Sequence, residues 1–74
     1  MKNRLDLHGI KHADVFKIVD NFIGKHIIYG TDSVEIITGY SQRMKDLVID
    51  VLNDYQVSSE NHRYNSGVLI IDLK

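Results

Sequence analysis

The sequence has no cysteine, no proline and no tryptophan, and its formal net charge is -1 over 74 residues. Without cysteine, disulfide scaffolds and cysteine-ligated zinc sites are excluded. A near-neutral charge argues against a polybasic protein that binds nucleic acid through many phosphate contacts. Long apolar runs and a signal peptide are also missing, so we expect a soluble intracellular protein with no membrane segment.

The length fits a single domain over residues 1–74. A chain this short buries only about 60% of the surface that its unfolded form exposes, so nearly every apolar residue is needed for one small core. Little material remains for a deep active-site cavity, and we expect any site to be shallow.

Two strands and a helix are predicted in the first half of the chain. Residues 4–7 alternate, with Leu5 and Leu7 on one face and Asp6 on the other, which is typical of a short strand that ends before Gly9. Residues 34–38 form a β-branched run, which predicts a second, largely buried strand. Between them, helical spacing from residue 12 to 28 predicts a helix that ends at Gly30, with a weak N-terminal cap. Its apolar positions are Ala13, Phe16, Val19, Ile23 and Ile27, widened by Val15, Ile18 and Phe22.

The second half predicts a further helix and two strands. Ser41 is a preferred N-cap residue, and the helix that follows has the clearest apolar stripe in the chain. Residues 57–64 are polar and extended, and Asn65-Ser66-Gly67 is a turn signal before a final strand over 68–73. The stripe of the second helix consists of Met44, Leu47, Val48, Val51, Leu52 and Tyr55.

The resulting order is βαβαββ. It predicts an α/β (α+β) two-layer sandwich, in which two helices pack on a small mixed four-stranded sheet. His26 and His62 have no evident partner in the sequence, and we expect both at the surface.

A right-handed βαβ unit makes the first two strands parallel, so their carboxyl ends meet at one edge of the sheet, where ligands of open α/β sheets gather. There the sequence places Asp6, His8 and Gly9 beside residues 38–41, directly before the second helix. A helix N-terminus offers free N–H groups to a phosphate. Basic side chains at this edge would add positive charge, and they are Lys11, Arg43 and Lys45.

The segments that carry this edge resemble the small MutS-related (Smr) domain family over nearly the whole chain. They are Leu5-Asp6-Leu7-His8-Gly9, then Ile36-Ile37-Thr38-Gly39, and the closing strand from Gly67 to Leu73. The family is defined by an LDLHG motif and by a TGxG or HGxG motif after the second strand. Ser41 stands where the family has its second glycine, and the segment up to Met44 is one residue short of the usual pattern.

The resemblance implies a fold like the C-terminal domain of translation initiation factor three. It also implies a nuclease or nucleic-acid-binding role on DNA or RNA. Members include the C-terminal domain of MutS2 proteins and factors that cut messenger RNA at stalled or collided ribosomes.

Asp6 and His8 are the candidate catalytic residues. They lie two apart on a strand, so both side chains project from one face. An imidazole can act as general base or acid near neutral pH, and Asp6 could orient it, position a water or hold a divalent metal ion such as Mg²⁺. The same two residues could instead form a local hydrogen-bonded pair that ties down the end of the strand.

The candidate phosphate contacts lie around Gly39, with the amides of Tyr40 and Ser41 directed at the anion. Tyr40 could stack on an unpaired base. In the simpler alternative, Gly39 serves only the turn and the basic residues are ordinary solvated charges. We give His12 no role in a zinc site, because Gly9 and the change from strand to helix remove its helical spacing from His8. The complete set of expected nucleic-acid contacts is Gly9, Lys11, Thr38, Gly39, Tyr40, Ser41, Arg43 and Lys45.

Two functions follow from the sequence. The first is an endonuclease or nicking domain with Asp6 and His8 catalytic. The second is a non-catalytic module that binds nucleic acid or a ribosomal surface through the same edge, and an interaction domain without an anion site is a third possibility. The degenerate second motif favours the binding module, whereas the intact first motif favours the nuclease.

Overall fold

A computed structural model describes residues 3–74 of the chain. The elements follow one another in the order βαβαββ, as the sequence predicts. They are β1 (Arg4–Asp6), α1 (His12–Tyr29), β2 (Ser33–Ile37), α2 (Gln42–Tyr55), β3 (Ser58–Asn61) and β4 (Val68–Asp72).

The four strands form one mixed sheet in the order β1-β2-β4-β3. β1 is parallel to β2, with Asp6 opposite Ile37, as a βαβ crossover requires. β4 is antiparallel to both β2 and β3, so it lies inside the sheet although it is the last strand in the sequence. The loop between β3 and β4 therefore returns to the edge at which β1 and β2 end.

Both helices pack on one face of this sheet, which confirms the two-layer architecture. Leu5, Ile36 and Leu69 are neighbours in register, and all three side chains belong to the core or pack against it. The next row turns away from the helices, and there Arg4 and Glu35 form an ion pair at 2.9 Å. The buried core residues are Leu7, Val15, Val19, Phe22, Ile23, Val34, Ile36, Met44, Val48, Val51, Leu52, Leu69 and Ile71.

The α1 helix keeps its expected bounds but turns a different face to the core. Lys11 is its N-cap residue and makes no side-chain cap hydrogen bond, whereas Gly30 ends it in the left-handed conformation at φ 76°. The expected apolar stripe is wrong at three positions, because Ala13, Phe16 and Ile27 are exposed. The buried positions are Val15, Val19, Phe22, Ile23 and His26.

The α2 helix agrees closely with the sequence. The Ser41 hydroxyl caps it by accepting a hydrogen bond from the Met44 amide at 3.1 Å. Tyr55, near its end, donates its hydroxyl proton to the Asp20 carboxylate of α1 at 2.7 Å, and this bond raises the pKa of Tyr55. Gly24 leaves space for that hydroxyl, since a Cβ there would lie 3.3 Å from it. The pair joins the two helices.

The expectation that His26 lies at the surface is wrong, because its side chain is only 2% exposed. Its Nδ1 lies 2.9 Å from the Thr31 hydroxyl, and its ring packs edge-on against Phe22 with centroids 4.7 Å apart. The hydrogen bond to Thr31 satisfies one ring nitrogen, so an imidazole can replace an apolar side chain at this position.

Burial, and secondarily the charge of Lys25, lowers the pKa of His26 from its ordinary value of 6.5. Below about pH 6.5 the unfolded chain therefore binds a proton at this histidine more readily than the folded chain does. The free energy of unfolding consequently decreases as the pH is lowered. We expect the urea midpoint of the wild type to decrease between pH 7.5 and pH 5. His26→Gln, which keeps a hydrogen-bonding side chain, should show a smaller decrease.

His12→Gln is the matched control for this titration, since His12 is exposed at the start of α1. It should show the same loss of stability with pH as the wild type. An unchanged pH dependence in His26→Gln would contradict a role for the buried imidazole.

Within residues 3–74, neither helix combines the length and the apolar character needed to cross a membrane.

Candidate functional site

The first part of the candidate site is the turn that follows β1. Leu7 is buried, and its carbonyl accepts a hydrogen bond from the Ile10 amide at 3.0 Å, which closes a four-residue turn. Gly9 is its third residue and has φ 78°, a left-handed conformation that favours glycine there. His8 is its second residue and is exposed, so the expectation that His8 lies on the strand with Asp6 is wrong, because β1 ends at Asp6. The Leu-His-Gly sequence thus anchors one side chain in the core and presents the next one to solvent.

The Asp6 carboxylate braces this turn. Its Oδ1 accepts a hydrogen bond from the His8 backbone amide at 2.8 Å. Within residues 3–74, no hydrogen bond joins the carboxylate to the imidazole, so Asp6 holds the backbone of His8 and not its ring. Asp6 and His8 thus form the local hydrogen-bonded pair that was the alternative to a catalytic role. The bond uses the backbone amide of His8, so the imidazole takes no part in it.

The second part of the site is the turn after β2, which lies beside the first. The Leu7 amide donates to the Ile37 carbonyl at 3.0 Å, which extends the parallel pairing beyond Asp6. Residues 8–11 and residues 38–41 consequently leave the sheet at the same edge, as the sequence predicts.

Thr38 and Gly39 join this edge to a third segment. The Gly67 carbonyl accepts hydrogen bonds from the Thr38 amide at 2.9 Å and from the Gly39 amide at 3.0 Å. The Thr38 hydroxyl lies 2.9 Å from the Gly39 carbonyl and 3.3 Å from that of Gly67, and its proton is shared between them. Thr38 is 7% exposed. In this structure Thr38 and the Gly39 amide hold loops together, and neither is directed at solvent.

The remaining contacts expected around Gly39 stand at the surface. Gly39 itself has φ 69°, and apart from its two chain neighbours no atom of the described residues lies within 4 Å of the place that a Cβ would occupy. Tyr40 is 79% exposed, and Ser41 uses its hydroxyl as the cap of α2. Within residues 3–74, the backbone amides of Tyr40 and Ser41 donate no hydrogen bond, so both are available to an anion.

The third segment is the loop between β3 and β4, which our sequence analysis did not place at this edge. It spans residues 62–67 and carries His62, Arg63 and Tyr64. The sequence indicates this loop only through the Asn65-Ser66-Gly67 turn. That turn predicts a reversal of the chain but not the edge of the sheet at which the reversal lies. His62 also has a partner that the sequence did not reveal, since its Nδ1 accepts from the Tyr64 amide at 3.1 Å.

Three basic side chains lie at the end of the sheet that carries the candidate site. Lys11, Arg43 and Lys45 surround the carboxyl ends of β1 and β2, and we call them the basic rim. Within residues 3–74, the two ion pairs lie at the opposite end, and no acidic group neutralises the rim at salt-bridge distance. Those ion pairs are Arg4 with Glu35 and Lys74 with Asp32. A net charge of -1 is therefore compatible with a locally positive edge.

The site is an open edge of the sheet. An open depression does occur on the sheet face that the helices leave free, but it lies near the amino ends of β1 and β2, away from Asp6 and His8. It is lined by Asn3, Arg4, Ser33, Val34, Glu35 and Ile70. A ligand at the candidate site would therefore bind to a surface formed by three loops.

The residues of the site offer few ligands for a metal ion. Among residues 3–74, no three histidine or acidic side chains are grouped closely enough to hold one. Asp6 supplies one carboxylate, of which one oxygen is already bonded to the His8 amide. Any Mg²⁺ bound there would take its other ligands from water or from the phosphates of a substrate.

Comparison with known proteins agrees with the motifs and with the fold. No curated protein matches the chain at a significant level. The family model described as the Smr domain matches residues 5–74, from the first leucine of the LDLHG motif to the end of the chain. Two helices on a mixed four-stranded sheet are the architecture that the resemblance implied. The chain therefore belongs to the Smr domain family.

Proposed function

We propose that this Smr domain is a nucleic-acid endonuclease or nicking domain that cleaves phosphodiester bonds in DNA or RNA, with Asp6 and His8 as its catalytic residues. The observation that carries the proposal is the bond from the His8 amide to Asp6 Oδ1 at 2.8 Å. It holds an exposed carboxylate against the backbone of an exposed histidine, beside a second turn with free amides. Smr domains are a nuclease-associated family, and this pair lies in the motif that defines it.

The chemistry requires one nucleophile and one leaving group. A nucleophilic oxygen, from water or from a ribose 2′-hydroxyl, attacks the phosphorus and gives its proton to the His8 imidazole. The bond from phosphorus to the leaving oxygen then breaks, and that oxygen takes a proton from solvent or from the protonated imidazole. The other oxygen of Asp6 would accept a hydrogen bond from the attacking water or stabilise the imidazolium.

The turn after β2 would hold the phosphate. The amides of Tyr40 and Ser41 and the N-terminus of α2 supply N–H donors to the phosphate oxygens, whose negative charge increases during the reaction. Gly39 leaves open space at that surface. The basic rim adds long-range attraction for the anionic backbone of the strand.

A binding module without catalysis is the second candidate, and Ser41 favours it. This residue replaces the second glycine of the family motif, and its hydroxyl is committed to the cap of α2. In that case the same edge would bind nucleic acid or a ribosomal surface while Asp6 served only to brace the turn.

A cleavage and binding assay separates the two candidates. We expect the purified chain to cut end-labelled single-stranded RNA, single-stranded DNA or branched DNA, each tested with Mg²⁺ and with EDTA. The double variant Arg43→Ala/Lys45→Ala should weaken binding and reduce the salt dependence of log Kd by about 2, since two phosphate contacts are lost.

The control is Lys25→Ala, which removes an exposed cation from the distant half of α1. Binding without cleavage on all three substrates would support the module and reject the nuclease. Binding that the double variant leaves unchanged would show that the basic rim does not contact the nucleic acid.

A further inference from the structure

The loop over residues 62–67 holds a large aromatic ring in solvent on a well-braced backbone. Tyr64 is 85% exposed, the largest exposure among the big apolar side chains of residues 3–74. Its amide donates to His62 Nδ1, and the His62 amide donates to the Val68 carbonyl at 2.9 Å. Asn65 Oδ1 accepts from the Gly67 amide at 2.9 Å. Because these hydrogen bonds restrain the backbone, a ligand that stacked on this ring would have less conformational freedom of the loop to remove.

This loop is attached to the candidate site. The Gly67 carbonyl bonds to the amides of Thr38 and Gly39, and Tyr40 is the next residue along the chain. A Cβ added to Gly67 would lie 3.3 Å from the Gly39 Cα, which shows how closely the two backbones approach. The two tyrosines at this edge, Tyr40 and Tyr64, are therefore carried by loops that are bonded to each other.

The environment of Tyr64 suits a nucleic acid strand. Arg63 precedes it and forms no ion pair within residues 3–74. It adds a fourth cation to the end of the sheet that the basic rim occupies. A ring next to a guanidinium can contact a base face and the adjacent phosphate together.

Only some nucleic acids offer such a contact. Bases in a duplex are stacked on both faces, whereas a single strand presents unpaired bases whose faces can stack on aromatic side chains. The chemistry of the loop thus matches an unpaired base followed by a phosphate.

We propose that Tyr64, with Arg63, is a strand-holding site that stacks on an unpaired base, so that the substrate of this edge is single-stranded nucleic acid. The inference rests on the proposed function, since it concerns the strand on which Asp6 and His8 act. RNA and DNA share the required chemistry, and separate arms of the test distinguish them.

The test is fluorescence anisotropy with labelled 12-nucleotide strands of RNA and of DNA and with a DNA duplex of the same length. All proteins carry His8→Ala so that the strands stay intact. Tyr64→Ala should weaken binding to the single strand by about 5- to 150-fold, the range expected for loss of one stacked base. Tyr64→Phe, which keeps the ring, should bind within about twofold of its parent, and Arg63→Ala should reduce the salt dependence of log Kd by about 1.

The matched control is Tyr29→Ala, which removes a ring that is 61% exposed at the end of α1, away from this edge. It should leave binding unchanged. Equal binding by Tyr64→Ala and its parent, or an equal loss on single strand and duplex, would overturn the inference. Thermal unfolding of Tyr64→Ala should match that of its parent, so that a loss of binding is not a loss of fold.

The inference and the proposed function fail in different ways. Cleavage that depends on His8 but is unaffected by Tyr64→Ala, with unchanged binding, rejects the strand-holding site alone. Single-strand binding that depends on Tyr64, in a chain whose wild type cuts none of the substrates, rejects the nuclease and supports the strand-holding site.

Discussion

His8→Ala should lower the rate of phosphodiester cleavage by about 10²- to 10⁴-fold, the usual contribution of a general acid or base. The fold should be unaffected, because the imidazole is exposed and forms no hydrogen bond within residues 3–74. The rate is measured under single-turnover conditions on whichever labelled strand the wild type cuts. Thermal unfolding of both proteins, followed by circular dichroism, shows whether the loss belongs to chemistry.

His12→Ala is the matched control, since it removes an equally exposed imidazole four residues later. Its cleavage rate should equal that of the wild type. Asp6→Asn separates the two roles of Asp6, because an amide oxygen can still accept the bond from the His8 amide but carries no charge. If the His8→Ala and Asp6→Asn proteins both cleave as fast as the wild type, the activity belongs to a contaminant and the nuclease assignment fails.

Ile36→Ala should destabilise the domain by about 2–5 kcal/mol, the range for deleting a buried aliphatic side chain down to alanine. Ile36 is fully buried on β2, between Leu5 and Leu69 in the register of the sheet. A domain of this length has a total stability of roughly 4–11 kcal/mol. The loss is therefore a large share of the total stability, and we expect the urea midpoint of the variant to fall well below that of the wild type.

The neighbouring residue provides the control for this substitution. Ile37 has the same side chain on the same strand, but it points to the face that the helices do not cover and is only half-buried. Ile37→Ala should cost less than half as much. Equal losses in the two variants would mean that both faces of the sheet are packed, contrary to the two-layer arrangement.

The elements could be predicted from the sequence where local chemistry decides them. Ser41 begins α2 through the hydrogen bond that its side chain accepts, and Gly30 ends α1 because glycine can adopt the left-handed conformation. Both act as predicted. The α2 stripe is unambiguous because every other residue of that helix except Ile49 is polar. The α1 helix has apolar residues on most of its circumference, so spacing alone does not select the buried face.

Phe16 and His26 show what decides that face. Phe16 is apolar but 58% exposed, whereas His26 is polar but buried. The imidazole is accommodated because Phe22, one helical turn earlier, supplies a ring edge and Thr31 supplies a hydrogen bond. The bond to Thr31 depends on how the chain turns at Gly30 after α1, and it has no signature in helical periodicity.

The part of the candidate site at the ends of β1 and β2 could likewise be predicted from the sequence. The βαβ rule brings the ends of β1 and β2 together from the order of elements alone. The contribution of Tyr64 and Gly67 could not be predicted from the sequence, because it depends on which strand β4 pairs with. The pairing of β4 with β2 is a long-range choice, and it also determines that Thr38 bonds to the Gly67 carbonyl.

The interior position of β4 has a consequence for how the protein is made. During synthesis the amino-terminal elements emerge first, but β1 and β2 cannot complete the sheet until the last strand inserts beside β2. Most of the sheet pairing is therefore non-local and closes late. The Gly67 carbonyl that holds the edge together arrives with the same segment. A ribosome-bound nascent chain lacking β4 would consequently have neither a closed core nor an assembled site. The binding and cleavage that we propose would therefore begin only when the whole domain has folded.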